Sequence, residues 1–168
     1  SIHLAEMVVN NLNKTKIAVI HDTNDFGTAS KDAFVAALKD LGIEPLIIES
    51  YNFGDKDFMP QLIRIRETNP EILGLFGNQS EAAIITNQMR QLGLNDVRIV
   101  STGGFPVPKY IELAPGTSEG SICVSTFNPS LKLPEAQKFV ADYVERFKTE
   151  PPHHAWNTYE AIIYVLKP

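Results

Sequence analysis

Five short apolar runs, separated by helical patterns, constrain the fold of this chain more than any other feature. The runs begin near residues 17, 45, 72, 97 and 121, and this spacing of about 24 to 28 residues suits a strand, a helix and two turns in right-handed crossovers. The first run, Ile17 to Ile20, has no polar alternation, as expected for a strand covered on both faces. We therefore predict an α/β fold with a doubly wound, five-stranded parallel sheet.

The helical patterns between the runs predict how the sheet is covered. Residues 2–13 have helical periodicity, and so do the segments that follow the first four strands. In the helix after strand one, the residues predicted to face the core are Ala33, Phe34, Ala37, Leu38 and Leu41. Gly42 is placed to end this helix, and Ser80 is placed to cap the helix after strand three.

The alternation of strands and helices ends after strand five. Residues 126–134 are rich in turn formers, and two helices follow, near residues 135–148 and 154–167, with no strand between them. We predict a lobe at residues 1–126, a hinge or linker at 127–134, and a helical segment at 135–168. The hinge residues are expected to be Thr126, Phe127, Asn128 and Pro129.

Composition excludes several classes of function. The net charge of −5, with basic residues spread thinly, argues against a nucleic-acid partner. The single cysteine, Cys123, lies in an apolar run and is predicted to be a buried structural thiol. Four histidines (His3, His21, His153 and His154) lack the spacing of a helical metal pair, so we expect solvated or capping side chains and no metal site. No pattern indicates a cofactor.

Polar and aromatic residues follow strands one, three and four, where ligands bind in open α/β sheets. Gly27 alone after strand one is too few glycines for a phosphate-binding fingerprint. A phosphoacceptor receiver is also excluded, because Asn78 stands where it needs an aspartate. Ordinary turn chemistry is the alternative explanation for these side chains, and this alternative stays open. The candidate ligand-binding residues are Asp25, Phe26, Asn78, Gln79, Thr102, Gly103, Gly104 and Phe105.

Several short motifs in order resemble the branched-chain amino-acid (Leu/Ile/Val) solute-binding proteins of ABC transporters, a family of type I periplasmic binding proteins. Asp25-Phe26-Gly27 resembles the family's Asp-Tyr-Gly after a strand, and residues 54–58 resemble its Gly-x-x-Asp-Phe. Residues 91–94, 119–120, 139–147 and 159–161 resemble further family motifs. The resemblance implies a flavodoxin-like lobe, the second of two, with two extra C-terminal helices that pack on the first lobe.

The resemblance also implies a function and a place in the cell. The expected protein is not an enzyme but a periplasmic or extracytoplasmic component that captures an amino acid or related small carboxylate and delivers it to an ABC permease. Phe26, Asn78, Gln79 and Phe105 are expected to line one concave rim. The family's acid in the loop after strand four is absent from residues 101–105, so we expect a small carboxylate rather than a zwitterionic amino acid, unless Asp25 holds the ammonium group.

Two other functions remain open from the sequence. A ligand-sensing domain of a receptor or transcription regulator has the same fold, whereas a flavodoxin-like enzyme is disfavoured because no catalytic constellation is present. We also expect the apolar faces of the two C-terminal helices to be covered, and we favour association with another copy of the chain over packing on their own lobe.

Overall fold

The five predicted strands form one parallel sheet in the computed structural model, which describes residues 2–103 and 108–166. The strand order is β2-β1-β3-β4-β5, and every neighbouring pair is parallel. The strands are β1 (Ile17–Asp22), β2 (Ile47–Tyr51), β3 (Ile72–Phe76), β4 (Arg98–Ser101) and β5 (Ile122–Cys123). The predicted doubly wound fold is therefore confirmed, although β5 has two residues, whereas the sequence predicts a strand over residues 121–125.

Helices lie between the strands at the predicted positions. The first is α1 (Ile2–Glu6), which continues as a π-helical turn over Met7–Asn11. The others are α2 (Asp25–Asp40), α3 (Met59–Glu67), α4 (Gln79–Gln91), α5 (Pro108–Leu113), α6 (Pro134–Phe147) and α7 (His153–Leu166). Gly42 has a φ of 77° immediately after the C-cap of α2, which is the left-handed conformation that glycine adopts at low cost.

The packing on both faces of β1 explains why residues 17–20 show no polar alternation. Ile17 and Val19 pack in a core with side chains of α1 and α2, whereas Ala18 and Ile20 pack in a second core with side chains of α3 and α4. Successive side chains point to opposite faces of a strand, so helices on both faces of the sheet account for the continuous apolar run from Ile17 to Ile20.

Three sequence predictions about individual residues are wrong. Ala33 is exposed, because the buried stripe of α2 is narrower and consists of Phe34, Ala37 and Leu38. Ser80 lies inside α4, whose N-cap is Asn78, because the helix begins two residues earlier than predicted. Cys123 is half-buried rather than buried, since β5 is a two-residue edge strand paired only with β4.

The chain divides after Val124, and residues 125–168 form the second compact unit. Its core is an aromatic cluster in which Phe127 stacks on Trp156 at 4.9 Å between ring centroids, and Phe139 lies 5.3 Å from the same indole ring. Phe127 and Phe139 are buried, whereas Val144, Phe147 and Ile162 are exposed. Helices α6 and α7 therefore bury only part of their apolar surface against each other.

The predicted hinge residues lie at the start of this second unit. The Thr126 hydroxyl donates a hydrogen bond to Asn157 at 2.8 Å, and the Asn128 side chain accepts one from the Ser130 amide at 2.8 Å. Phe127 is in the aromatic core. Bending at residues 126–129 stays a prediction.

Candidate functional site

The turn between β1 and α2 is ordered by a buried carboxylate. Asp22, the last residue of β1, is fully buried and accepts hydrogen bonds from the backbone and side-chain nitrogens of Asn24 at 3.0 and 2.9 Å. The Asn24 side-chain oxygen accepts from the Gly27 amide at 2.7 Å and so caps α2. The turn from Asp22 to Gly27 is therefore held in its conformation by hydrogen bonds of its own side chains.

Two candidate ligand-binding residues follow this turn directly. Asp25 and Phe26 are the first two residues of α2, and both are exposed. Phe26 has 47% of its surface exposed, so part of its ring is accessible to a ligand. The position of Asp25 also suits the positive end of the helix dipole, so its carboxylate has a structural reason to be there.

The turn after β3 meets the turn after β1. Strands β1 and β3 are neighbours, with His21 paired to Phe76, and Asn78 follows two residues later. The Asn78 side-chain nitrogen donates to Asp22 at 3.4 Å, and both Asn78 and Gln79 are half-buried. The structure therefore places Phe26, Asn78 and Gln79 at the carboxyl ends of two adjacent strands; their contact with a ligand stays a prediction.

The loop after β4 begins beside this pair of turns. The Ser101 hydroxyl donates to the Leu75 carbonyl at 2.6 Å, which fixes the end of β4 against β3. Thr102 and Gly103 follow and are half-buried. Gly104 and Phe105, the other two candidates in this loop, lie outside the described residues.

A second group of polar side chains lies buried near the ends of β2 and β3. Tyr51 is 2% exposed, and its hydroxyl has no hydrogen-bond partner among the residues that the structure describes. Glu81 is equally buried. One of its oxygens accepts from the Gly54 amide at 3.1 Å, and the other has no partner within the same described ranges. Burial raises the pKa of Tyr51 well above its ordinary value, and the negative charges of Asp22 and Glu81 raise it further.

Sequence reasoning missed the roles of Asp22, Asn24, Tyr51 and Glu81. One residue in the sequence could have indicated close packing of side chains here, namely Gly77, directly after β3. A Cβ at this position would lie 2.0 Å from the Tyr51 hydroxyl oxygen and 3.2 Å from the Asp22 Cβ. Glycine is needed there because two other side chains already occupy the space.

Two histidines also differ from expectation. His21 and His153 are buried rather than solvated. The His21 Nδ1 lies 2.8 Å from the Asp22 carbonyl oxygen, so this ring helps to hold the end of β1. Within residues 2–103 and 108–166, no group of three or more His, Cys, Asp or Glu side chains could hold a metal ion. In the same ranges, no helix has both the length and the apolar character needed to cross a membrane.

A separate cavity of about 430 Å³ lies at the opposite edge of the sheet. It lies at the amino ends of β1, β3 and β4, and the residues that border it include Lys14, Lys16, Glu71 and Arg98. Lys14 and Glu71 pair across it at 2.6 Å. Ligands of open α/β sheets bind at the carboxyl ends of the strands, so we assign the candidate site to the turns around Asp22 and not to this cavity.

The groups at the candidate site are suited to binding a small molecule. It combines amide side chains, the backbone of three turns and an exposed aromatic ring, which can hydrogen-bond and cover a small polar ligand.

Comparisons with known proteins agree with this geometry. A family model described as periplasmic binding protein matches residues 3–167. An amino acid binding protein from Pseudomonas aeruginosa is 31% identical over 160 residues, which are 94% of this chain and 42% of the relative. A Leu/Ile/Val-binding protein homolog from Brucella suis is 26% identical over 160 residues, with the same coverage.

A solved structure supports the same assignment. A leucine binding protein from Thermotoga maritima superposes with a TM-score of 0.86 at 28% identity, covering 96% of this chain and 46% of the solved chain. The chain thus spans less than half the length of the proteins it matches. On the match of residues 3–167 and the confirmed parallel sheet, the chain belongs to the periplasmic binding protein family, a family of solute-binding proteins.

Proposed function

We propose that this chain is one lobe of an extracytoplasmic solute-binding component of an ABC transporter. The protein would capture a small molecule, an amino acid or a related small carboxylate, as two lobes close around it, with no bond made or broken. The observation that carries this proposal is the meeting of the β1 and β3 turns at Asp22, which puts Phe26 and Asn78 on one edge of the sheet. The names of the relatives, which include amino-acid and leucine binding proteins, support the ligand class.

The first experiment measures binding in the full-length protein. Isothermal titration calorimetry should give a dissociation constant for a ligand first identified by mass spectrometry of the purified protein. Phe26→Ala and Asn78→Ala should each weaken binding by about tenfold or more, since each removes a direct contact worth about 1.4 kcal/mol or more. Ile63→Ala is the control, because Ile63 is an exposed apolar side chain on α3, away from the proposed rim.

Binding unchanged in both rim variants would refute the assignment of the site. A loss of binding in Ile63→Ala equal to that in the two rim variants would point to a general effect on the fold instead, and would refute the assignment too.

The charge of the ligand can be tested with a matched pair of compounds. L-leucine and 4-methylpentanoate differ only in the ammonium group, and a buried ammonium without a carboxylate partner costs several kcal/mol. Both oxygens of Asp22 already accept hydrogen bonds, and Asp25 is the exposed acid beside Phe26. We expect 4-methylpentanoate to bind at least as tightly as L-leucine. If L-leucine binds more tightly than 4-methylpentanoate and Asp25→Asn abolishes that binding, the expected order is wrong. Asp25 is then the partner of the ammonium group.

Delivery requires a partner in the membrane, and we propose ABC permease subunits in that role. The proposed site of action is therefore the periplasm or the outer face of the cell. Bending at residues 126–129 is the proposed closing movement. A transport assay in membrane vesicles tests these points together: uptake should depend on the added full-length protein, and uptake that proceeds equally without it would refute them.

A further inference from the structure

We infer that Asp22 is a positioning residue for ligand capture, which fixes Asn78 relative to the turn that carries Phe26. This inference rests on the proposed function, because it assigns a role within the same site. Asp22 itself is fully buried and would not touch the ligand. Its effect on binding would pass through the residues that it holds.

The hydrogen bonds of Asp22 join two separate segments of the chain. Its Oδ1 accepts from the Asn24 backbone nitrogen, and its Oδ2 accepts from the Asn24 side chain at 2.9 Å and from the Asn78 side chain at 3.4 Å. Asn24 and Asn78 are 54 residues apart in the chain. One carboxylate oxygen therefore receives a donor from each of the two turns that form the candidate site.

Two glycines show how closely these turns approach Asp22. A Cβ on Gly27 would lie 2.3 Å from the Asp22 carbonyl oxygen and 2.9 Å from its Cβ. A Cβ on Gly77 would lie 3.2 Å from the same Asp22 Cβ. Both turns thus pack against Asp22 with no room for a side chain at either glycine, so Asp22 is in close contact with the two segments that its carboxylate joins.

A carboxylate is the side chain that this position requires. An ionised carboxylate only accepts hydrogen bonds, and here three donors converge on it. Asn at position 22 would have the same shape but would replace one accepting oxygen with an NH₂ group that faces donors. The turns would then separate, and the distance between Phe26 and Asn78 would change.

The binding test uses the full-length protein with L-leucine and 4-methylpentanoate as probes. Asp22→Asn should weaken the binding of whichever probe the wild type binds by about tenfold or more, the change expected when hydrogen bonds to a charged group are lost. In an Asn78→Ala background the same substitution should weaken binding by a clearly smaller factor, because Asp22 acts partly through Asn78. The inference would be overturned if Asp22→Asn bound the probe with wild-type affinity. It would also be overturned if Asp22→Asn weakened binding by the same factor in the wild-type and the Asn78→Ala backgrounds.

A second readout does not depend on a ligand. In the ¹⁵N spectrum of the ligand-free protein, Asp22→Asn should shift the side-chain amide signals of both Asn24 and Asn78. The side-chain signals of Asn87 should not move, since Asn87 lies in α4 and donates to the Leu113 carbonyl at the end of α5 at 3.1 Å, with no bond to Asp22. If Asp22→Asn does not fold, Asn78→Ala replaces it and should shift the Asn24 side-chain signals, because the two amides share Oδ2.

The two readouts separate the inference from the proposed function. If neither probe binds the wild type, the proposed ligand class fails, whereas the amide signals still decide whether Asp22 joins the two turns. Unshifted Asn78 signals in Asp22→Asn, or unshifted Asn24 signals in Asn78→Ala, would overturn the role of Asp22 whatever the ligand.

Discussion

Replacing Tyr51 with phenylalanine should stabilise the fold, although it removes a polar group from the end of β2. The Tyr51 ring is buried against Phe58, with 5.1 Å between ring centroids, and phenylalanine would keep that contact. The hydroxyl is lost, but in the described part of the chain it has no hydrogen-bond partner. A buried polar group without a partner costs about 1–3 kcal/mol relative to the hydrated group. We therefore expect Tyr51→Phe to raise the free energy of unfolding by about 1 kcal/mol or more.

Tyr110→Phe is the matched control for this experiment. Tyr110 is also buried, but its hydroxyl lies 3.0 Å from the Thr86 hydroxyl and 3.3 Å from that of Ser121. Removing it breaks hydrogen bonds that folding has formed, so Tyr110→Phe should lower the free energy of unfolding by about 1 kcal/mol.

Urea denaturation, followed by far-ultraviolet circular dichroism, measures both variants. For a domain of this size, 1 kcal/mol corresponds to about 2–4 °C in the midpoint of thermal unfolding, which provides a second measurement. A Tyr51→Phe protein that is destabilised as much as Tyr110→Phe would refute the reasoning, because the Tyr51 hydroxyl would then have a partner that stabilises the fold.

Four further predictions concern the same cluster, a surface pair and the C-terminal helices. Gly77→Ala should destabilise the fold by about 1–3 kcal/mol, because its Cβ would lie 2.0 Å from the Tyr51 hydroxyl oxygen, and the loss measured by urea denaturation should shrink in a Tyr51→Phe background. Above pH 10 the unfolded chain ionises Tyr51 before the folded chain does, so unfolding becomes easier as the pH rises, and Tyr51→Phe should flatten this part of the thermal-stability profile. The hydrogen bond from Lys14 lowers the pKa of Glu71, so Lys14→Met should raise that pKa in a carboxyl ¹³C titration, and an unchanged value would contradict the pairing. Light scattering of this chain should report a dimer or larger species that Phe147→Ser weakens, because α6 and α7 leave Phe147 and Ile162 exposed; a monodisperse monomer at high micromolar concentration would contradict it.

The parallel sheet could be predicted because its causes are local. The apolar run of β1 follows from helices on both of its faces, and the spacing of the strands follows from the length of a crossover. The helical stripes of α2 and α4 are also visible in the sequence, since their buried residues recur every three or four positions. The edge of the sheet where Phe26 and Asn78 lie follows from the same topology.

The sequence by itself therefore determined the elements of this protein, their order and the edge that carries the candidate site. Only the tertiary structure decided which side chains meet there. Asp22 and Asn78 are 56 residues apart, and their contact depends on the register of β1 against β3. The approach of Tyr51 to Gly77 and the bond from Gly54 to Glu81 likewise join separate turns. Local periodicity carries no information about such distances, because they are set by how the strands pair and how the helices pack on them.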